Sequence, residues 1–309
     1  MANKIFVGVD IGGTNIKSAL VENGKIKKRK KLPTGANLGP ERVITQIKSA
    51  IRPFITQARG IGIGIAGIID SKKGIVKFSP NLSEWHNIRL VKALKKEFNK
   101  PVSIINDVNA ICLGEWQYGA AKGYKNVFLL TLGTGVGGAA ICEGQPLFGA
   151  NGFSGELGHS VIKFNGPRCT CGNYGCLERY VGAKYIVANA KRKMRKKITS
   201  LKNYKRLTPY IIAQEAKKGD KVSKEVFTEI GFYIGIGVSN IIALFDSDVV
   251  IISGGVSRAG RILFEPIRKT VRKRVLGAKY RNYKIIPGKL GDDAGILGAV
   301  FFASSVERK

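Results

Sequence analysis

Three of the five cysteines and one of the two histidines fall within eighteen residues: His159, Cys169, Cys171 and Cys176, in the run Gly158 to Glu178. Three thiolates and one imidazole complete a closed tetrahedral shell for Zn²⁺, and the interspersed glycines let the backbone turn sharply enough to gather the sulfurs around one ion. A Cys-x-Cys disulfide is strained, and nothing else in the chain points to an oxidising compartment. The spacing therefore predicts structural zinc. Glu156 and Glu178 flank the cluster, and carboxylates of this kind suit bidentate hydrogen bonding to vicinal sugar hydroxyls. His159 has two readings: a wholly structural ligand, or a ligand whose second ring N–H donates to a bound molecule.

Two further segments carry phosphate chemistry. Asp10-Ile11-Gly12-Gly13-Thr14-Asn15 ends one apolar strand, and Gly133-Thr134-Gly135-Val136-Gly137-Gly138 ends another. Glycine-rich hairpins of this type leave backbone N–H groups free to face phosphate oxygens. Thr14 and Thr134 each add a hydroxyl, and Asp10 is suited to hold the water shell of a phosphate-bridging Mg²⁺. Either turn alone reads equally well as a tight β-turn, but the pair at corresponding places favours phosphate binding. Gly62-x-Gly64-x-x-Gly67 and Gly133-x-Gly135-x-x-Gly138 match the dinucleotide fingerprint in letters only, because neither third glycine opens a helix. Asp107, in Asn106-Asp107-Val108-Asn109, lies where a buried strand gives way to a helix. It reads either as an N-cap or as a general base taking the proton of an attacking hydroxyl.

The elements that must position these residues follow from hydropathy patterning. Strands are expected at Ile5–Asp10, Ser18–Val21 and Ile26–Leu32, as a meander around the turn Glu22-Asn23-Gly24. Helical spacing follows at Val43, Ile44, Ile47 and Ile51, then a strand at Ile61–Ile65, a turn at Ile68–Gly74, a helix near Leu90–Phe98 and a strand at Val102–Ile105. Strands at Val127–Leu132 and Ala139–Cys142 repeat the opening plan, which implies two related halves hinged between Tyr118 and Lys125. The second half adds a long helix from about Val222 to Phe245, the strand Val249–Ile252 and a closing helix beyond Asp293. Alternating strands and helices indicate an α/β protein.

At 309 residues and 44% hydrophobic content the chain can bury large cores, and its size favours two domains. With no run of eighteen apolar residues, and an N-terminus that enters a strand at once, a cytoplasmic protein with no membrane association is expected. Cys112 and Cys142 read as ordinary buried thiols. The formal charge of +31, from 52 Lys and Arg against 21 Asp and Glu, attracts polyanions without naming a partner. Its densest stretch, Lys184 to Arg206 with Lys191–Lys197 at the centre, lacks the interleaved aromatics of a single-strand platform. It reads as a solvated helical face, and no specific nucleic acid is expected.

These residues resemble the repressor, open reading frame and kinase (ROK) family, within the actin, hexokinase and Hsp70 superfamily. Asp10-x-Gly12-Gly13-Thr14-Asn15, Leu132-Gly133-Thr134-Gly135-Val136-Gly137-Gly138 and Ile252-Ser253-Gly254-Gly255 are similar to its first phosphate, second phosphate and adenosine segments. Gly158 to Glu178 fits its Gly-His-x6-Gly-x2-Cys-x-Cys-Gly-x2-Gly-Cys-x-Glu pattern without a gap. The resemblance implies a two-domain actin-like ATPase (ribonuclease H-like) fold with a zinc loop in the larger domain. A smaller domain of residues 1–118 plus about 297–309 and a larger one of 119–296 are implied. It implies Asp107 as catalytic base; Asn81, Asn106, Asp107, Glu156, His159 and Glu178 on a hexose; and zinc on His159, Cys169, Cys171 and Cys176. Nucleotide contacts are implied from Asp10 (also Mg²⁺ through water), Gly12, Gly13, Thr14, Asn15, Lys17, Gly133, Thr134, Gly135, Gly137, Gly254 and Gly255.

The implied activity is ATP-dependent phosphorylation of a hexose 6-hydroxyl by a homodimer or homotetramer. Pro80-Asn81-Leu82-x2-Trp85, Gly114-Glu115-Trp116-x-Tyr118-Gly119-Ala120 and Gly149 to His159 look most like the glucose-phosphorylating members. Mannose, N-acetylmannosamine and N-acetylglucosamine stay open as substrates, and polyphosphate as donor. A sugar-responsive regulator is disfavoured, because both phosphate turns are intact and Asp10 lies almost at the N-terminus.

Overall fold

The alternating run Gly60-Ile61-Gly62-Ile63-Gly64-Ile65 shows how the first half of the chain is assembled. In the computed structural model, which describes residues 4–195 and 197–307, it is a strand with every residue buried. Successive strand side chains point to opposite faces, so the isoleucines enter a core with Val43, Ile47 and Trp85. The glycines leave a flat track on the other face. Against that track lies the C-terminal helix, Ala294–Val306: a Cβ on Gly8 would collide with Ile296 and Val300, and one on Gly62 with the backbone of Ala299. These glycines serve close helix packing, which accounts for the fingerprint letters without a dinucleotide.

Packing divides the chain into two compact units. One takes residues through 123, 148–153 and those from 289 on; the other takes 124–147 and 154–288. A boundary at 296/297 would cut the C-terminal helix, which the first unit takes whole because a helix packs as one body.

The first unit contains β1 (Ile5–Ile11), β2 (Asn15–Glu22), β3 (Lys25–Pro33), α1 (Gly39–Ile51), β4 (Gly60–Ile65), β5 (Ile68–Asp70), β6 (Ile75–Phe78), β7 (His86–Ile88), α2 (Leu90–Phe98), β8 (Val102–Asn106) and α3 (Asp107–Tyr118). Its main sheet has the order β3-β2-β1-β4-β8, antiparallel through β3, β2 and β1 and parallel from β1 to β8. The edge strand β3 is mostly exposed and carries Lys25, Lys27, Lys28, Arg29, Lys30 and Lys31. Charge along an unpaired edge blocks further strand addition, which gives part of the +31 a structural purpose. The segment expected as a bare turn at Ile68–Gly74 is instead a hairpin of β5 and β6, because β-branched pairs flank Asp70-Ser71-Lys72-Lys73-Gly74 on both sides. Asp70 accepts the Lys73 N–H at 3.0 Å and Gly74 takes a φ of 68° to close it.

The second unit contains β9 (Val127–Leu132), β10 (Val136–Cys142), β11 (Gln145–Leu147), α4 (Glu178–Val181), α5 (Ala183–Met194), α6 (Pro209–Lys218), α7 (Lys221–Phe245), β12 (Val249–Ser253), α8 (Arg261–Arg274) and β13 (Lys284–Pro287). Its sheet order, β11-β10-β9-β12-β13, has the same two antiparallel and two parallel pairings as the first. The repeated plan read from the sequence is thus a repeated sheet, as the actin-like fold requires. The 25-residue α7 is long and apolar enough to cross a membrane, yet 61% of its apolar window is buried in this unit. Gly231 and Gly235 let α8 approach it closely, against Pro266 and Thr270.

Two expectations are corrected here. Cys142 is exposed, because it ends β10 beside the Glu143–Gly144 turn; Cys112 is buried, which pushes its thiol up to about 12. Strand β10 begins at Val136, three residues before the expected start, since the preceding turn is closed by the Gly133 N–H bonding the Gly135 carbonyl at 3.0 Å. The basic run is helical through Met194, with Lys196 outside the described residues. Lys193 and Lys197 pair with Glu229 and Glu225 of α7 at 2.9 and 2.6 Å.

Candidate functional site

In the first unit, the parallel register places Asp10 opposite Gly64 and Ile65 opposite Asn106, so β1, β4 and β8 end together. Ligand sites in α/β sheets lie at such carboxyl ends. Asn106 caps α3: its Oδ1 accepts from Val108 N–H at 2.9 Å and Asn109 N–H at 3.1 Å, and its Nδ2 donates to the Gly67 carbonyl at 3.1 Å. The capping role left open for Asp107 therefore belongs to Asn106. Asp107 becomes the first helical residue, where the helix N-terminus favours its charged form. Its Oδ1 accepts the Val108 N–H at 3.0 Å.

Asp10 feels that neighbour. Burial first, then the Asp107 charge, raise its carboxyl from 3.8 to about 6; Lys17 opposes, and Asp292 adds to the rise. Two carboxylates that disfavour each other's ionisation make a site that welcomes a cation. A Cβ on Gly295 would lie 3.5 Å from Asp10 Cγ, so the C-terminal helix passes directly beside this carboxylate. Lys17 is ion-paired with Asp292 at 3.2 Å. Asp292 escaped the sequence reading, because its partner Lys17 is remote along the chain.

The turn after β1 is tied by the Gly12 N–H to the Asn15 carbonyl at 3.0 Å and by Thr34 Oγ1 to the Gly12 carbonyl at 2.6 Å. Thr14 stands exposed. A Cβ on Gly13 would sit 3.2 Å from Asn81 Cβ, so the turn and the loop bearing Asn81 abut. That loop is anchored by Leu82 and Trp85, both buried, while Asn81 remains exposed.

In the second unit, the turn after β9 lies beside Gly254, whose φ is 88° and whose missing side chain makes room for the Leu132 backbone. Gly133–Gly135 and Gly254–Gly255 thus share the carboxyl ends of β9 and β12. Thr134 is exposed like Thr14, and Gly137 continues into β10. The turn is fastened by α4: Glu178 Oε2 accepts the Val136 N–H at 2.9 Å, and the same carboxylate occupies the space a side chain at Gly135 would need. Ala183 N–H bonds the Gly133 carbonyl at 3.0 Å.

Glu178 lies two residues beyond Cys176. The His159, Cys169, Cys171 and Cys176 ligand atoms all lie within 4.8 Å of one another. Cys171 and Cys176 sulfurs are 3.7 Å apart and Cys169 Sγ is 3.8 Å from His159 Nδ1. Tetrahedral zinc with Zn–S of about 2.3 Å requires sulfurs about 3.8 Å apart, whereas a disulfide needs about 2.05 Å. The donor set and its spacing fit zinc. With Nδ1 facing the sulfurs, Nε2 is the nitrogen left for a second partner. Burial raises the Cys176 thiol, and the two neighbouring thiols raise it further. A cation would reverse that logic. Glu156, exposed at the rim, has its carboxyl raised by desolvation, lowered by His159 and raised again by Glu178, so these three form one electrostatic group.

Each unit therefore gathers its own share of the expected residues: Asp10, Gly12–Asn15, Lys17, Asn81, Asn106 and Asp107 in one; Gly133–Gly137, Gly254, Gly255, Glu156, His159, Glu178 and the cysteines in the other. Comparison with known proteins gives a consistent picture. A family model described as ROK family matches residues 6–306. A glucokinase from Thermotoga maritima is 38% identical over 302 residues, covering 95% of each chain. A xylose repressor from Caldicellulosiruptor bescii is 36% identical over 78% of this chain and 61% of its own length. The crystal structure of a ROK family glucokinase from Streptomyces griseus in complex with glucose and AMPPNP superposes with a TM-score of 0.84 at 31% identity, covering 97% of this chain and 99% of that one.

Proposed function

The chain belongs to the ROK family, and on that premise we propose that it is a glucokinase, transferring the γ-phosphoryl group of ATP to the 6-hydroxyl of glucose. The observation that carries the reading is the carboxylate pair Asp10 and Asp107 beside the glycine turn. One of the pair is held for metal and phosphate; the other stands at a helix N-terminus, relieved of capping duty by Asn106.

Asp107 accepts the proton of the 6-hydroxyl as that oxygen attacks the γ-phosphorus. With the Gly12 and Gly133 amides closing the two turns, the amides and hydroxyls of Gly13, Thr14 and Asn15, with Lys17, and of Thr134, Gly135 and Gly137 receive the phosphate charge, and Gly254–Gly255 leave room for the adenosine. Mg²⁺, arriving with ATP, offsets negative charge on the phosphates, and Asp10 is the residue that holds its water shell. Asn81, Asn106, Glu156, His159 and Glu178 bind the sugar hydroxyls. Asn106 does so with the amide hydrogen its cap and brace leave over. Zinc on His159, Cys169, Cys171 and Cys176 supplies a cross-link that stiffens the loop carrying Glu178.

Both turns keep their phosphate-type glycines, Gly12, Gly13, Gly133, Gly135 and Gly137, which supports the kinase over a sugar-responsive regulator. An ATP-coupled screen of glucose, mannose, N-acetylmannosamine and N-acetylglucosamine tests the assignment. Glucose should give the highest kcat/KM, and no turnover with any of the four would overturn it. The reading extends to a cytoplasmic homodimer or homotetramer, checked by sedimentation.

A further inference from the structure

Glu115 is fully buried in the last turn of α3, a costly place for a carboxylate on two counts. Burial removes its hydration, and a helix C-terminus repels negative charge. Among the described residues, no lysine, arginine or histidine forms an ion pair with it. Its oxygens are taken up by backbone amides instead: Oε2 accepts the Ala120 N–H at 2.8 Å, and Oε1 accepts the Leu290 N–H at 2.8 Å. Its own carbonyl accepts the N–H groups of Gly119 and Ala121, at 3.1 and 3.0 Å. A side chain at Gly119 would occupy the space of the Glu115 carboxylate, so the glycine admits it.

Those amides mark the two places where the chain passes out of the first unit and returns for its final stretch, after Gly123 and at Lys289. One carboxylate therefore grips the departing segment and the returning segment together. The same helix carries Asp107 at its other end, eight residues or about 12 Å away at 1.5 Å per residue. Between the two ends α3 is seated on the C-terminal helix with no slack: a Cβ on Gly114 would strike the Ala294 backbone, and one on Gly298 the Ala110 backbone.

We infer that Glu115 is a positioning residue for phosphoryl transfer: it locks the departing segment, the returning segment and α3 into one rigid piece, which sets the position of Asp107. This rests on Asp107 being the base.

The test uses Glu115→Gln, which keeps the shape but turns one acceptor into a donor facing an N–H, and Gly119→Ala, which displaces the carboxylate without removing it. Turnover per titrated active site should fall tenfold or more in both, while the glucose Kd stays within twofold of the parent. A merely structural role would instead reduce the titratable fraction and leave turnover per site unchanged; turnover within twofold of the parent in both variants overturns the inference. Amide hydrogen exchange on the unmodified protein supplies an arm that needs neither variant to fold. Ala120 and Leu290 should exchange slowly and at matching rates, slowing together when glucose is added. Rates for those two amides as fast as in an unstructured peptide of the same sequence overturn the clamp. Absence of kinase activity in the unmodified protein would instead fault the functional reading, with the exchange result still deciding the clamp.

Discussion

The turn after β1 and the turn after β9 join the same kind of antiparallel pair in sheets of the same order, yet they are fastened by different means. The first is held by its own unit's opening strands: Thr34, just beyond β3, bonds Gly12 and Thr14. It is bordered by acids, Asp10 and Asp107. At the place of Asp10 the second turn has Thr131, and it is held from outside the sheet by Glu178, on the helix that follows the cysteine loop. Duplication has therefore preserved a shape while dividing the work. On the proposed reading, proton and metal chemistry belong to the first turn, and the second is a cradle whose rigidity would depend on the loop that a zinc ion cross-links.

The largest way to break this division is at its acidic side. Asp107→Asn should lower kcat by about 10² to 10⁴, the range for a lost general base, and leave the glucose Kd close to the parent value by calorimetry. Near-normal turnover would remove the chemistry from the first turn. Next comes the loop. Chelator treatment that leaves the protein folded by circular dichroism should weaken glucose binding by about tenfold to a hundredfold. ATP binding should also weaken, by less, because Glu178 reaches the second turn. Calorimetry showing ATP affinity intact would cut the link from loop to turn, and unchanged glucose binding would reduce zinc to a staple.

The turns themselves can be set against each other. Gly135→Ala places a methyl on the Glu178 carboxylate, whereas Gly12→Ala meets only the Asn15 carbonyl, at 3.4 Å. The first substitution should raise the KM for ATP by about tenfold, or about 1.4 kcal/mol, and the second by less; the reverse order would contradict the different fastening. The smallest effect is on stability. Asp10 titrates near 6 in the folded protein against 3.8 ordinarily, so its folded pKa is raised and its ionised form opposes folding. The ligand-free protein should gain stability from this group as pH falls from 7 through 6 toward 4, by at most about 3 kcal/mol. Asp10→Asn should abolish that dependence and raise Tm at pH 7 by a few degrees while removing activity. A mutant melting below the parent at pH 7 would mean that Asp10 is instead stabilised by its surroundings.

Sequence was most legible where residue type and spacing carry geometry. The cysteine cluster, both glycine turns and the paired meanders are all local signals, and each forms where the spacing places it, with β10 starting three residues early. Helices α4, α6 and α8 were not read, and α5 only as a basic helical face, because their placement rests on tertiary partners such as the α7 glycines that admit α8 and the α7 acids that pair with Lys193 and Lys197. The hairpin of β5 and β6 was missed since five polar turn residues overshadow the short branched pairs beside them. Asn106 and Asp107 could not be told apart as caps by adjacency alone; that needed the amide directions. Glu115 and Asp292 were invisible for a deeper reason. Their partners, Leu290 and Lys17, lie 175 and 275 residues away along the chain.

The glycine track on β1 and β4 has a further consequence for how the protein is made. Its occupant, Ala294–Val306, is translated only after the whole of the second unit, although the strands it covers precede that unit. Domains usually complete themselves from the N-terminus during synthesis, but here the second unit has its whole sequence by residue 288 while the first still lacks its covering helix. Birth order and folding order are thus inverted. The first unit's glycine track, at Gly8 and Gly62, stays uncovered until Ala294–Val306 has been made.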